Sequence, residues 1–456
     1  MNLRRWVRRW VVVGGALVAI GFPPVEAVSA QDELPGVSLG LVYANSYLPA
    51  LVVKPFTGSF GGDGIAPQVE AIIGRDLRGS DRFEVMDSLP AGLLGVGIDY
   101  TLWDRLGAVW LVSGEVEGAG EGYVLILELH DVVYGEVTER GRFRLPSVTD
   151  EDFRMAVHRT SDEIVRWATG DPGMAASRIV FTMMDADLNK DIYVIDSDAE
   201  NLQRVTRYNS LTESPTWSPD GERIALASWK TGVPRIYEVD RFGGNERMLP
   251  AVRGKGDYIT PTYHPNGRTL AFSVLGSDAR SGIFTYDLER DCCLSYLSGG
   301  PWYDIGPTYS PDGRWLAFST MRFGDAVPQV MRMPAEGGSA ETLSPYEYGH
   351  GGFYEAADWS PRGDLVAFHG RIDRRGRYHI LVANLEDNGK VLRQLTSEGN
   401  NEAPSWAPDG RHLVFVGERS WGFGLMIVDV TTGRIRPLLS GRKVGLPDWS
   451  PAVTPG

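Results

Sequence analysis

One phrase recurs through the second half of the chain. "SPTWSPDGERIALAS" (Ser214–Ser228) returns as "TPTYHPNGRTLAFSV", "GPTYSPDGRWLAFST", "AADWSPRGDLVAFHG" and "APSWAPDGRHLVFVG", and a last, shortened copy reads "LPDWSPAVTPG". Its prolines, Pro219, Pro265, Pro311, Pro361, Pro408 and Pro451, are spaced by 46, 46, 50, 47 and 43 residues. Self-similarity at this period restricts the chain to a propeller or another repeat array. Within one unit the apolar residues alternate, and no helical period appears. "SPTWS" is a short strand. "PDG" is a tight turn in which Pro fixes φ and Gly takes the left-handed position. "ERIALAS", "RIYEVD" (Arg235–Asp240) and "ERMLP" (Glu246–Pro250) supply three more strands. Four antiparallel strands per repeat make a propeller blade.

The recurring aromatic (Trp217, Tyr263, Tyr309, Trp359, Trp406, Trp449) and the small residue of the second strand (Ala225, Ala271, Ala317, Ala367, Val414) fall at equivalent places. The aromatics are expected to fill the gaps between splayed blades. Second-strand runs begin with "RIVFTMM" (Arg178–Met184), which has no first strand before it. The last first-strand, "LPDWS" (Leu446–Ser450), has no second strand after it. The two fit each other, so six blades over 175–451 are expected, with the C-terminal strand closing the ring and removing an open edge.

Residues 31–170 have another rhythm and read as an α/β N-terminal domain. "ALVVKPF" (Ala50–Phe56) is a buried-type strand. Ile65, Val69, Ile72, Ile73 and Leu77 share one helical face. A short helix near "YTLWDRLG" and strands "AVWLVSGEVE", "YVLILELHDVV" and "RGRFRLP" follow. A final helix is expected from Thr149, with Asp152 completing a capping box and Gly170 ending it.

Residues 1–30 carry Arg4, Arg5, Arg8 and Arg9, then the apolar "WVVVGGALVAIGF", then the small-residue site "VSA". This is the pattern of a secretory signal peptide cleaved between Ala30 and Gln31. A soluble, exported, monomeric product without a membrane span is expected. Formal net charge is −14, and loss of the leader makes it more negative, which disfavours nucleic acid as a partner. The only cysteines, Cys292 and Cys293, are adjacent. They are expected to be half-buried small residues in an outer strand.

The order "VVKPF…IGRDLRGSDRFEVMD…LGAVWLVSGEVE…HRTSDEIVRWATG", followed by "SRIVFT" and ending in "PDWSP", resembles the TolB family of the Tol–Pal envelope system from end to end of the mature chain. The resemblance implies a periplasmic, non-catalytic scaffold that serves outer-membrane integrity and invagination at cell division. It implies binding of a peptidoglycan-associated lipoprotein, Pal, at the propeller mouth. It also implies contact with an inner-membrane partner, TolA, through a segment within Leu34–Ser46. Asp257 stands where some relatives carry a mouth histidine.

Two other readings compete. Exported hydrolases share such propellers, but no His-Glu-x-x-His or Gly-rich phosphate loop occurs, no nucleophile elbow is expected, and no hydrolase-sized stretch follows the last repeat. "DADLNKD" (Asp185–Asp191) spaces its acidic and amide groups like a calcium loop, but Lys190 takes the glycine position. A solvated hairpin turn is the alternative. No cofactor, metal or catalytic residue is assigned.

Blade strands alternate in direction, so Pro-Asp-Gly turns gather at one end and the longer crossings at the other. The longer loops are the expected binding end. The largest crossing, "SPYEYGHGGFYEA" (Ser344–Ala356), offers Tyr346, Tyr348, His350, Phe353 and Tyr354. Asp257 with Thr260, and Asp304 with Ile305, are expected in two further crossings.

Overall fold

In the computed structural model, which describes residues 38–40, 47–86, 89, 97–250, 256–276, 280–323, 327–345, 352–371, 376–386 and 391–453, the repeats form six four-stranded antiparallel sheets. Blade two shows how a repeat folds. Its strands are Thr212–Trp217, Arg223–Ser228, Arg235–Asp240 and Arg247–Met248, in that order from the axis outward. Ser218 Oγ donates to Asp220 and accepts from Arg223 N, which fixes the Pro-Asp-Gly turn. Gly221 supplies its positive φ.

The ring closes as the repeat count requires. Val444–Trp449 pairs antiparallel with Arg178–Met184, in register from Val444↔Met183 to Trp449↔Ile179. Ser450 Oγ accepts from Arg178 N at 2.9 Å, and Trp449 Nε1 donates to Ser177. Blade one is thus built from both ends of the repeat region.

All six recurring aromatics are buried, between 4 and 7% exposed, and the five small residues of the second strand are fully buried. They are packing residues between blades, as expected. Each inner strand also carries a bulge that the sequence did not announce. Ser214, Thr260, Gly306, Ala356, Ala403 and Leu446, one per blade, all have φ between 45 and 62°. The register shifts beside each of them. Such bulges bend the innermost strand around the axis.

The N-terminal unit has a sheet ordered Glu84–Met86, Ala50–Val53, Ala108–Ala119, Gly122–Asp131, Glu136–Leu145, with Thr57–Ser59 also beside Ala108–Ala119. Helices α1 (Ala66–Gly79) and α3 (Phe153–Thr169) cover one face. The short α2 (Tyr100–Arg105) places Trp103 on the other, against Val52 and Leu111. Gly170 ends α3 in a left-handed conformation. The capping box does not form. Asp152 is the N-cap but caps with no side-chain bond, because residues 150–152 make a turn of their own in which Asp150 Oδ1 accepts from Asp152 N.

Two further expectations need revision. Cys292 and Cys293 are joined in a disulfide at the start of the outer strand of blade three. Cys293 sits in a bulge with φ of 70°, which breaks the strand's alternation of side chains. The letters Gly36-Val37-Ser38-Leu39-Gly40 do spell the hydrolase elbow pattern. However, Ser38–Gly40 is an extended strand added parallel to Val391–Gln394 of blade five, not a strand-to-helix turn.

Candidate protein-binding surface

The two ends of the propeller are unequally covered. The N-terminal unit is docked on the Pro-Asp-Gly end, over blades six and one. Arg411, next to the turn glycine of blade six, donates to the Asp81 carbonyl at 3.0 Å. Arg436 donates to the Gly79 carbonyl at 3.0 Å. Arg75 of α1 reaches Asp198 and Glu200, in the turn between the third and fourth strands of blade one, at 3.2 and 3.0 Å. Arg82 pairs with Asp171 at 2.6 Å, pinning the connection to the propeller.

The opposite end, where crossings and second-to-third turns gather, keeps exposed aromatics. Trp302, in the crossing into blade four, is 38% exposed, and Trp421, in a turn of blade six, is 42% exposed. Phe353 begins the inner strand of blade five, with its ring edge-on to Tyr378 at 5.3 Å. The Arg371 guanidinium lies over both rings, at 5.3 and 4.9 Å. Half-buried aromatics beside arginine at an open end suit protein recognition.

The sequence-expected residues divide here. Phe353 lies at this end and is half-buried, as is Asp257 at the start of its inner strand. Tyr354 does not serve as contact surface. It is 1% exposed, edge-on to Phe368 in the core of blade five. Neither does Asp304, which is fully buried and ties Ser298, Thr320 and Arg322 together beneath the crossing. Its carboxylate is spent on structure because it lies inside the strand rather than in the loop before it. Thr260 is likewise not in a crossing. It is the bulge residue of blade three, donating to Ser273 Oγ at 2.8 Å and lining the axial channel. Ile305 is half-buried beside the equivalent bulge. Tyr346, Tyr348 and His350, together with the Ala30–Gln31 junction, lie outside the described residues.

Sequence reasoning missed Trp302, Trp421 and the channel. The channel, about 160 Å3, is lined by the six bulges and by Asp358 and Asp448. Asp358 accepts from Trp406 N in the next blade and Asp448 from Trp217 N, both at 2.7 Å. Ser405 Oγ accepts from Trp449 N at 3.0 Å. Burial pushes the Asp358 carboxyl up to about 6 and the Asp448 carboxyl up to about 7. At the channel's open end, burial and the neighbouring Glu402 push Glu355 up to about 7. "DADLNKD" spans the turn between the second and third strands of blade one. There Asp185 Oδ1 accepts the backbone N–H of Asp187 and Asn189, and Asp191 is occupied by Thr206 and Arg204.

Comparison with known families settles the lineage. Residues 166–453 match the TolB beta propeller domain, and residues 44–138 match the TolB amino-terminal domain. The chain belongs to the TolB family. It is 29% identical to the Tol-Pal system protein TolB of Gluconobacter oxydans over 414 residues, covering 88% of this chain and 86% of that protein. It is 32% identical to the protein of the same name from Albidiferax ferrireducens over 206 residues, which span 45% of this chain and about half, 47%, of that relative. The crystal structure of TolB from Acinetobacter baumannii has the same fold. The TM-score is 0.75 at 23% identity, over 90% of this chain and 99% of that one.

Proposed function

We propose that this TolB-family chain is a non-catalytic periplasmic scaffold of the Tol–Pal envelope system. The observation that carries the reading is the asymmetry of its propeller. One end is covered by the N-terminal unit through Arg411, Arg436 and Arg75. The other presents Trp302, Trp421, Phe353 and Arg371 around an open channel. The open end binds a peptidoglycan-associated lipoprotein. A segment within Leu34–Ser46 contacts an inner-membrane TolA-like protein, and the pair of contacts serves outer-membrane integrity and division. Residues 1–30 act as a cleaved export signal. No helix among the described residues is long and apolar enough to cross a membrane.

Recovery of the mature protein from its own envelope extract tests this directly. A peptidoglycan-associated lipoprotein should be the main partner, and the recovered chain should begin at Gln31 by mass spectrometry. Failure to recover the lipoprotein, or labelling of the chain by an active-site serine-hydrolase probe, would overturn the scaffold reading.

A further inference from the structure

Two fully buried histidines cross the boundary between the N-terminal unit and the propeller in opposite directions. His158, on α3, has Nδ1 held by Asp76 of α1 at 2.8 Å, while Nε2 faces Asp198 of blade one at 4.0 Å. His412, on the second strand of blade six, has Nδ1 held by Asp409 at 2.6 Å, while Nε2 faces Asp81, just after α1, at 3.4 Å. Each ring is oriented by a carboxylate of its own unit and presented to a carboxylate of the other. Both rings are 0% exposed. A neutral imidazole, with Nδ1–H donated to the orienting carboxylate, would turn a bare lone pair toward the second one. A charged imidazolium turns an N–H toward it.

The surroundings fit a proton better than a metal ion. Asp198 already accepts from Arg75 and Arg154, and Asp81 has Arg434 at 3.1 Å and Arg436 at 3.9 Å. Asp429, near His412, is held by Arg411 at 2.7 Å. Asp196, paired with Arg178, and Asp162 complete the charged groups around His158. Asp162 accepts from the Ala175 and Ala176 backbone N–H groups of the connecting segment, at 2.7 and 2.8 Å.

We propose that these two reciprocal Asp–His–Asp bridges are a proton-dependent latch that holds the N-terminal unit on the propeller. Burial opposes charge on His412, but Asp409 and then Asp81 outweigh it and push the ring up to about 9. Burial likewise opposes charge on His158, and Asp76 and Asp198 outweigh it, so that ring is raised. A group raised on docking holds the units together in full below its value in the separated state. That hold is lost as pH rises through the docked value. Asp76 and Asp409 remain beside their rings after separation, so only the shares of Asp198 and Asp81 move with docking.

The test places a thiol in the boundary of the full mature chain by Ala175→Cys, whose side chain lines a cavity of about 120 Å3 between the units. Its labelling rate, divided by that of a free cysteine at the same pH, reports how often the units part. Between pH 7 and pH 10 the normalised rate should rise about 10-fold as the His412 bridge is lost, as it must if docking lets that ring hold its proton about ten times more tightly. His158→Gln with His412→Gln should raise the rate at pH 7 and remove the pH response. A flat response in the background with both histidines intact would overturn the latch. So would an undiminished response in the double variant. If that variant loses its strand signal by circular dichroism, Asp81→Asn, which removes only the cross-boundary carboxylate, should reduce the response. A response unchanged by it would also overturn the latch.

Discussion

The two ends of the propeller are made from the same repeat, yet they differ in what they spend their side chains on. At the Pro-Asp-Gly end, Arg411, His412, Asp429 and Arg436 are buried or half-buried and bonded to the N-terminal unit or to one another. At the open end, Trp302, Trp421 and Phe423 remain exposed. A repeat sets the blade, and the residues just outside its signature decide which end becomes an internal boundary and which, among the described residues, stays uncovered.

The largest break in this arrangement comes from neither end. Deleting 444–456 removes the inner strand of blade one, leaving Arg178–Met184 as an open edge. The truncated protein should melt at a lower temperature than the parent and aggregate, as seen by light scattering during heating. A monomeric product with an unchanged melting point would show that the closing strand is dispensable.

Next is the covered end. Arg411→Ala leaves Asp429 buried with its bidentate partner gone, and frees the Asp81 carbonyl. Breaking a buried pair from one side costs about 3–5 kcal/mol, so urea unfolding should shift by that order. The conservative Arg411→Lys should recover only part of it.

The open end should behave in reverse. Trp302→Ala with Phe353→Ala should leave urea unfolding within about 1 kcal/mol of the parent. Binding to a peptidoglycan-associated lipoprotein should weaken by at least ~2 kcal/mol, the scale of an interface hot spot, by titration calorimetry. Unchanged affinity in this variant, with lost affinity in Arg411→Ala, would reverse the assignment of the two ends.

The smallest effect lies on the axis between them. Asp448, raised to about 7 by burial and by Asp358, has a folded value above its unfolded one near 3.9. Its contribution is therefore greatest at acid pH and is lost as pH rises through 7. Asp448→Asn keeps an acceptor for Trp217 N. It should be more stable than the parent at pH 8 by on the order of 1 kcal/mol, with the gain gone at about pH 3, below the unfolded value. Melting at the two pH values measures it.

Much of the fold was legible because its determinants are local and periodic. The Pro-Asp-Gly turns, the alternating strands and the unpaired first and last runs specify six blades and their closure. The bulges were not legible. Ser, Thr, Gly, Ala, Ala and Leu share no side-chain property, and only the left-handed backbone relates them. The site was less legible than the fold for a related reason. Tyr354 and Asp304 are flanked by half-buried residues, and strand alternation turned the two of them inward. Trp302 and Trp421 carry no motif, and exposure, which only the folded chain defines, is what marks them. His158 and His412 are 254 positions apart in sequence, and no spacing rule links them across a boundary between two units.

Ring closure also has a consequence in time. Arg178 N and Ser450 Oγ bond across a separation of 272 residues. Blades two to six can form as soon as their own residues have emerged, since each is a run of neighbouring hairpins. Blade one waits for the final strand, and the cost of bringing such distant segments together slows that step. A chain delivered from its N-terminus therefore keeps an incomplete first blade until its last strand is available, and only then can the ring close.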